Sequence, residues 1–300
     1  MFKLKKWINN NDLHYSELSY NPQALSILSQ NLDKINWYNL CCNPYGIDII
    51  EQNTDKLNRS CWGVLSSNPQ AIHLLLLNQD KINWDFFSKN ESHIAIDMLS
   101  HNLDKINWYY LSGNSQALSI LTQNLDKINW DQFSRNPHPI AIDILSKNLD
   151  KINWRYLSQN PQAMSILSQN LDKVDWKLFS ENPYAIDILA ENLDKVYWEH
   201  LCRNLQAINI LALNLNKLNE IAWNNLSSNP YAISILENNL DKINWNIIFF
   251  NPSIFELDYD AMKNNCHIYK KKLIEKAFHP SRIQKWLDQG ISWEQLDDLL

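Results

Sequence analysis

Three hundred residues, 45% hydrophobic and 20% charged, hold ample apolar material for a core and exclude global disorder. A formal charge of -6 argues against a general polyanion binder, whose affinity comes from Lys and Arg neutralising phosphates. Apolar stretches such as Leu74–Leu77 and Ile247–Phe250 fall far short of the roughly 18 residues of a transmembrane helix, and the opening MFKLKKWINNNDLHYSEL lacks the apolar run and cleavage site of a secretory signal.

Residues 1–14, around Trp7, read as an N-terminal cap, and from residue 15 to 257 the chain is a tandem repeat. Its composition is 41 Asn against 4 Gly, with 13 Trp, which only a periodic constraint explains. Trp recurs at 37, 62, 84, 108, 130, 154, 176, 198, 223 and 245, and Tyr15 fills the same slot one repeat earlier. The spacing is 22 to 25 residues and gives eleven starts, the last incomplete.

Within each repeat the elements follow in a fixed order. Six residues after the aromatic slot stands an Asn in all eleven copies, from Asn21 to Asn251, with Pro next in eight. Asn is a preferred N-cap and Pro suits the first helical position, so a helix is predicted to begin there. In one copy its apolar positions are Ala163, Met164, Ile166 and Leu167, leaving Gln162, Ser165 and Gln169 on a wet face. A second Asn, from Asn31 to Asn239, is expected to close the helix in the left-handed conformation that Asn tolerates best after Gly. A Leu-Asp-Lys-Ile connection follows, and an Asn or Asp before the Trp (Asn36, Asn83, Asn107, Asn129, Asn153, Asp175, Asn244) caps a second, shorter helix W-x-x-L-S.

Helices this short are unstable alone, so the repeats must stack, which predicts an all-α fold: an α-solenoid of about eleven two-helix modules with helical caps. A buried Trp removes about 150–250 Å² of surface, roughly 4–6 kcal/mol at most, and the Trp ladder is expected to lie in the core. The residue after Pro alternates between Gln and Tyr, so the duplicated unit is about 46 residues. Two repeats gain two residues in the first helix region, bringing in His93 and His138, and the connections before Trp62 and Trp223 gain three. Residues 258–300 read as a helical cap with Met262, Cys266, Tyr269, Leu273 and Ala277 on one stripe and Lys270–Lys272 on a solvated face. A last helix is predicted from Pro280 to Gly290, ahead of the acidic tail 294–300.

With these slots laid out, the chain resembles the tandem-repeat proteins of giant DNA viruses of the mimivirus type, whose modules run I-N-W-x-x-L-S-x-N-P-x-A-I. The resemblance covers residues 15 to about 290 and includes the closing Asn251-Pro252-Ser253-Ile254-Phe255-Glu256, Tyr259-Asp260-Ala261-Met262-Lys263 and Phe278-His279-Pro280-Ser281-Arg282. It implies a viral origin and a repeat fold, and no reaction. The Asn-Pro helix starts are also similar to leucine-rich-variant repeats in geometry.

No seat for catalysis is visible: there is no Gly-rich phosphate loop, no G-x-S-x-G, and the eight His sit in non-equivalent slots without metal-ligand spacing. No cofactor or metal is expected. Cys41, Cys42, Cys61, Cys202 and Cys266 lack C-x-x-C spacing, and Cys41 and Cys202 fill the Ser slot of L-S, which fits a reducing compartment, host cytoplasm or virion. Asp and Lys adjoin in nine of ten connections, cancelling most of the field of a Lys row, and read as a solvated connection. The expected function is a non-enzymatic scaffold that binds a protein or peptide along an extended face. Tyr45, Tyr184 and Tyr231 are the expected anchors, with Gln70, Gln116, Gln162, Gln206, Asp48 and Asp187 as polar contacts. Two other classes stay open: a virion packing protein, and a single-stranded RNA binder reading one base per repeat.

Overall fold

The computed structural model describes residues 2–9, 13–277 and 279–288; the predicted helix end at Gly290 and the acidic tail lie outside them. The described chain is helical throughout, apart from two three-residue strands, Phe2–Leu4 and Phe255–Leu257, which form one two-stranded sheet. It divides into a large compact unit, Leu4–Phe255, and a small one made of residues 1–3 and 256–300.

In the large unit each repeat supplies two short helices, as in Trp154–Ser158 and Met164–Leu167. The Asn before the aromatic caps the first of them: the Asn153 side chain accepts from the Tyr156 N–H, and Asn36, Asn83, Asn107, Asn129 and Asp175 do the same. Where the sequence has three extra residues, this cap moves back to Asn58 and Asn219, and the helices lengthen to Arg59–Ser67 and Glu220–Ser227. The two-residue insertions act on the other helix, adding the caps Ser92 and His138 to eight-residue helices.

The second Asn does not take the left-handed conformation. Its φ lies between -128° and -140° wherever it flanks a helix end, and its side chain explains why. Nδ2 donates to the carbonyl four residues back in all ten copies, from Asn31 to Ile27 O through Asn239 to Ile235 O. A carbonyl left over at the helix end is thus satisfied by the amide of the side chain rather than by a backbone reversal.

The first Asn does more than cap. Each is buried, at 8% exposure or less. Asn160 Oδ1 accepts from the Gln162 N–H at 3.0 Å, while Nδ2 donates to Ser134 O and Asn136 O of the preceding repeat, both at 3.0 Å. Asn43, Asn90, Asn114, Asn136, Asn182, Asn204, Asn229 and Asn251 repeat the three-bond pattern, and Asn68 reaches Cys41 O at 3.5 Å. Asn21, in the first repeat, donates to Phe249 O at 2.9 Å and Asn251 O at 3.1 Å. The ladder therefore closes on itself, first repeat onto eleventh.

A Ser in the preceding helix runs in parallel. Ser158 Oγ donates to Trp154 O at 2.7 Å and accepts from the Asp175 N–H at 2.9 Å, and seven further Ser accept in the same way from the residue before the next aromatic. Cys41 and Cys202 replace it ahead of the two longer helices. There the residue before the Trp, Cys61 or Ala222, gives its N–H to the cap Asn58 or Asn219 instead, so no hydroxyl acceptor is needed.

The core is built of three fully buried rows: Leu or Phe three residues after the aromatic (Leu111, Phe133, Leu157, Phe179), Ala three residues after the ladder Asn, or five where two residues are inserted (Ala117, Ala141, Ala163, Ala185), and Leu four further on (Leu121, Leu145, Leu167, Leu189). The Trp slot is a correction to the expectation of a core ladder. Of the slot residues only Trp62 and Trp223, within the longer helices, are buried, at 8% and 7%; most others are half-buried against the core edge and Trp245 is exposed.

In the small unit, Tyr259–Ala277 and Pro280–Asp288 are helices, and Lys3 Nζ lies 3.9 Å from both Glu256 and Asp258. The stripe on the first of them is exposed at Met262, Cys266, Tyr269 and Leu273.

Replacing Asn136 by Asp keeps the shape but removes both donors and places a charge against two carbonyl oxygens in a buried site. It is expected to lower unfolding free energy by about 3–5 kcal/mol, measured by urea denaturation. A loss below about 1 kcal/mol would show that the ladder bonds matter little.

Candidate functional site

The slot two residues after each ladder Asn is held by its own backbone: Tyr45, Tyr184 and Tyr231 donate N–H to Asn43, Asn182 and Asn229 at 3.1, 3.0 and 2.9 Å. With the main chain committed at the first turn, the side chains stand outward, 67%, 65% and 59% exposed. Gln70, Gln116, Gln162 and Gln206 take the same slot in the alternate repeats and are exposed, as are Asp48 and Asp187, three residues beyond Tyr45 and Tyr184 on the helices Ile47–Glu51 and Ile186–Glu191. The predicted wet face, Gln162, Ser165 and Gln169, is exposed in full.

Of these residues, Tyr184 and Gln206 are brought together across adjacent repeats. With Pro183, Ile186 and Leu205 they line an open depression of 630 Å³. Tyr231 stands in the next repeat, whereas Tyr45 belongs to the second repeat and is remote in sequence from that cluster.

The connecting Lys is not merely solvated, which corrects the sequence expectation. In six repeats it folds back over its own aromatic slot: Lys34 over Tyr15, Lys105 over Trp84, Lys127 over Trp108, Lys151 over Trp130, Lys173 over Trp154 and Lys195 over Trp176, at 4.4–4.9 Å from the ring centre. The repeats flanking the longer helices break the pattern, and there Lys56, Lys81 and Lys242 pair with the preceding Asp at 3.1–3.2 Å. Two matching cavities result, of 470 Å³ beside Trp62, Arg59 and Lys81 and 460 Å³ beside Trp223, Glu220 and Lys242. The three-residue insertions were the signal for them.

A polar chain across four repeats also escaped the sequence patterns. Glu181 accepts from Gln159 Nε2 at 2.6 Å, meets His200 Nδ1 at 2.7 Å and lies 3.5 Å from Arg203, which in turn donates to Asn225 Oδ1 at 3.1 Å. These residues recur 19 to 22 positions apart, so the chain ties neighbouring repeats on one face.

Among the described residues, no group of three or more His, Cys, Asp and Glu is placed to hold a metal, and no helix is long and apolar enough to cross a membrane. All five cysteines are free thiols. Burial pushes the Cys202 thiol up to about 12, with the Glu199 charge adding to it. Burial, then the neighbouring Cys61, raises Cys41 further. Both stay protonated through neutral pH and are poor nucleophiles.

No family model matches the chain, and neither a curated protein nor a solved structure matches it.

Two outcomes are expected. Cys266, which is exposed, reacts with iodoacetamide at pH 8 in the native protein, while Cys41 and Cys202 react only on unfolding; a raised folded-state thiol pKa also means that stability, intact below about pH 8.5, declines as pH climbs from there toward 12. In denaturation, Lys151→Met, which removes the cation over the Trp130 ring while keeping the apolar stem, costs about 0.5–1 kcal/mol, while Lys81→Met, with only its exposed Asp80 partner, changes stability by less than about 0.5 kcal/mol. Equal losses would dissociate the ring contact from stability.

Proposed function

We propose that the repeats form an α-solenoid of eleven two-helix modules closed into a ring, and that it is a non-enzymatic scaffold for a protein or peptide partner. The observation that carries this is the outward slot. Tyr45, Tyr184 and Tyr231 are large, exposed and outside every structural ladder, and amphipathic aromatics of this kind dominate recognition surfaces. The depression shared by Tyr184 and Gln206, next to Tyr231 in the following repeat, is the centre of the proposed interface, with Asp187 beside it and Tyr45, Asp48, Gln70, Gln116 and Gln162 continuing the same slots around the ring.

The lysines support a protein over a nucleic acid as partner. A row of Lys ammonium groups spent on Trp rings or on adjacent Asp is poorly disposed to replace counterions along a phosphate backbone. The origin we infer is viral, on the strength of the repeat motif, with the protein acting in a reducing compartment of the infected cell or in the virion.

Replacing Tyr45, Tyr184 and Tyr231 together by Ala is expected to weaken binding of a partner captured from infected-cell cytosol by more than about tenfold, at low and high salt alike, with the thermal midpoint nearly unchanged. A fall of several degrees would place these rings in the core, and undiminished capture would remove them from the interface.

A further inference from the structure

Where the hydrogen-bonded ladder closes, aromatic rings from the two ends of the repeat array meet. Trp7 and Trp245 lie with ring centres 6.2 Å apart and planes at 68°, and His14 stacks on Phe249 at 5.2 Å with planes 12° apart. Together with Asn9 these four rings line a cavity of 270 Å³. The Trp7 indole N–H already donates to Glu237 Oε1 at 2.9 Å, and Lys5 Nζ meets the same oxygen at 3.0 Å. The cavity is thus walled chiefly by π surface.

The rest of the chain shows what such a ring accepts. In six repeats the aromatic slot carries a lysine ammonium 4.4–4.9 Å from the ring centre. Trp245 holds that slot in the eleventh repeat, where no Leu-Asp-Lys connection follows. It is 42% exposed, whereas the other slot rings are buried or half-buried.

We propose that the cavity lined by Trp7, His14, Trp245 and Phe249 binds an alkylated ammonium group, which takes over Trp245 the place that lysine takes over the equivalent ring in six other repeats. A quaternary ammonium offers no N–H and is recognised by ring faces alone, through attraction to their quadrupoles, which suits walls whose polar edge is already engaged. The charged groups around the cavity leave the rings to decide. Glu237 is held ionised, below the usual carboxylate range, by the Trp7 N–H and by Lys5, and Lys5 balances its charge; Glu17 lies 3.9 Å from His14 Nδ1. The site is separate from the tyrosine slots and does not depend on their role.

The test is calorimetric titration of the full chain with choline, with its uncharged carbon isostere 3,3-dimethylbutan-1-ol, and with a trimethyllysine peptide and its unmodified counterpart. Choline or the trimethyllysine peptide is expected to bind, choline at least tenfold more tightly than the isostere. Tighter binding of the methylated peptide than of choline assigns the group to a protein side chain, and the reverse to a free small molecule. Trp245→Leu, which keeps apolar volume at a half-open position, is expected to weaken binding at least tenfold with an unchanged circular dichroism spectrum. Equal affinity for choline and the isostere, or no binding of either ammonium probe at millimolar concentration, would overturn the proposal. The isostere comparison uses the unaltered chain, so it decides even where the variant folds poorly.

Discussion

A primary amide buried away from water has two N–H groups and a carbonyl oxygen to satisfy, and each left unpaired costs about 1–3 kcal/mol. Eleven such amides stand at one position of this repeat: the oxygen accepts from the backbone two residues on, as in Asn160, and the nitrogen donates to the repeat before, except in Asn21, whose nitrogen donates to Phe249 O and Asn251 O. Asp would offer no donor, Ser only one, and Gln would overreach. The requirement fixes the distance and rotation between neighbours, because both receiving carbonyls belong to the preceding ladder residue and to the Ser slot of its helix. The short helices, marginal by themselves, hang from this row.

The same constraint accounts for the irregularities. An extra helical turn ahead of Trp62 and Trp223 supplies its own capping Asn, so the preceding hydroxyl becomes a thiol, the indole is covered and the lysine leaves the ring. Four separate sequence oddities, two Cys for Ser and two insertions, reduce to one local change made twice. The ladder itself runs through these places, through Asn68 to Cys41 O and Asn229 to Cys202 O.

The two helices per repeat, the Asn before the aromatic as a cap and the outward slot of Tyr184 were legible in the sequence, because each depends on interactions within a few residues. What lay beyond it came from partners far along the chain. Capping explains an Asn by its oxygen alone, so the use of its nitrogen across 22 to 27 residues was hidden, though the lack of any Ser or Asp in eleven copies pointed to it. The second Asn suggests a left-handed backbone by its residue type, whereas its side chain satisfies the carbonyl at i-4. The size of Trp suggests a core position, whereas a lysine 19 residues later covers Trp154 at the surface. Closure had a trace too: Asn21 carries the same ladder amide as the other copies, and its partners are Phe249 O and Asn251 O.

Closure is tested most directly by distance. Spin labels at Asp33 and Asp80, both exposed, report on two repeats of separation along the chain; labels at Asp33 and Asp241, also exposed, report on two repeats of separation across the junction. With Cys42 and Cys266 replaced by Ser, double electron–electron resonance is expected to give closely similar distances for the two pairs. A Asp33–Asp241 distance several times longer than the Asp33–Asp80 distance would mean that the array is open and that the bonds of Asn21 to the eleventh repeat do not form.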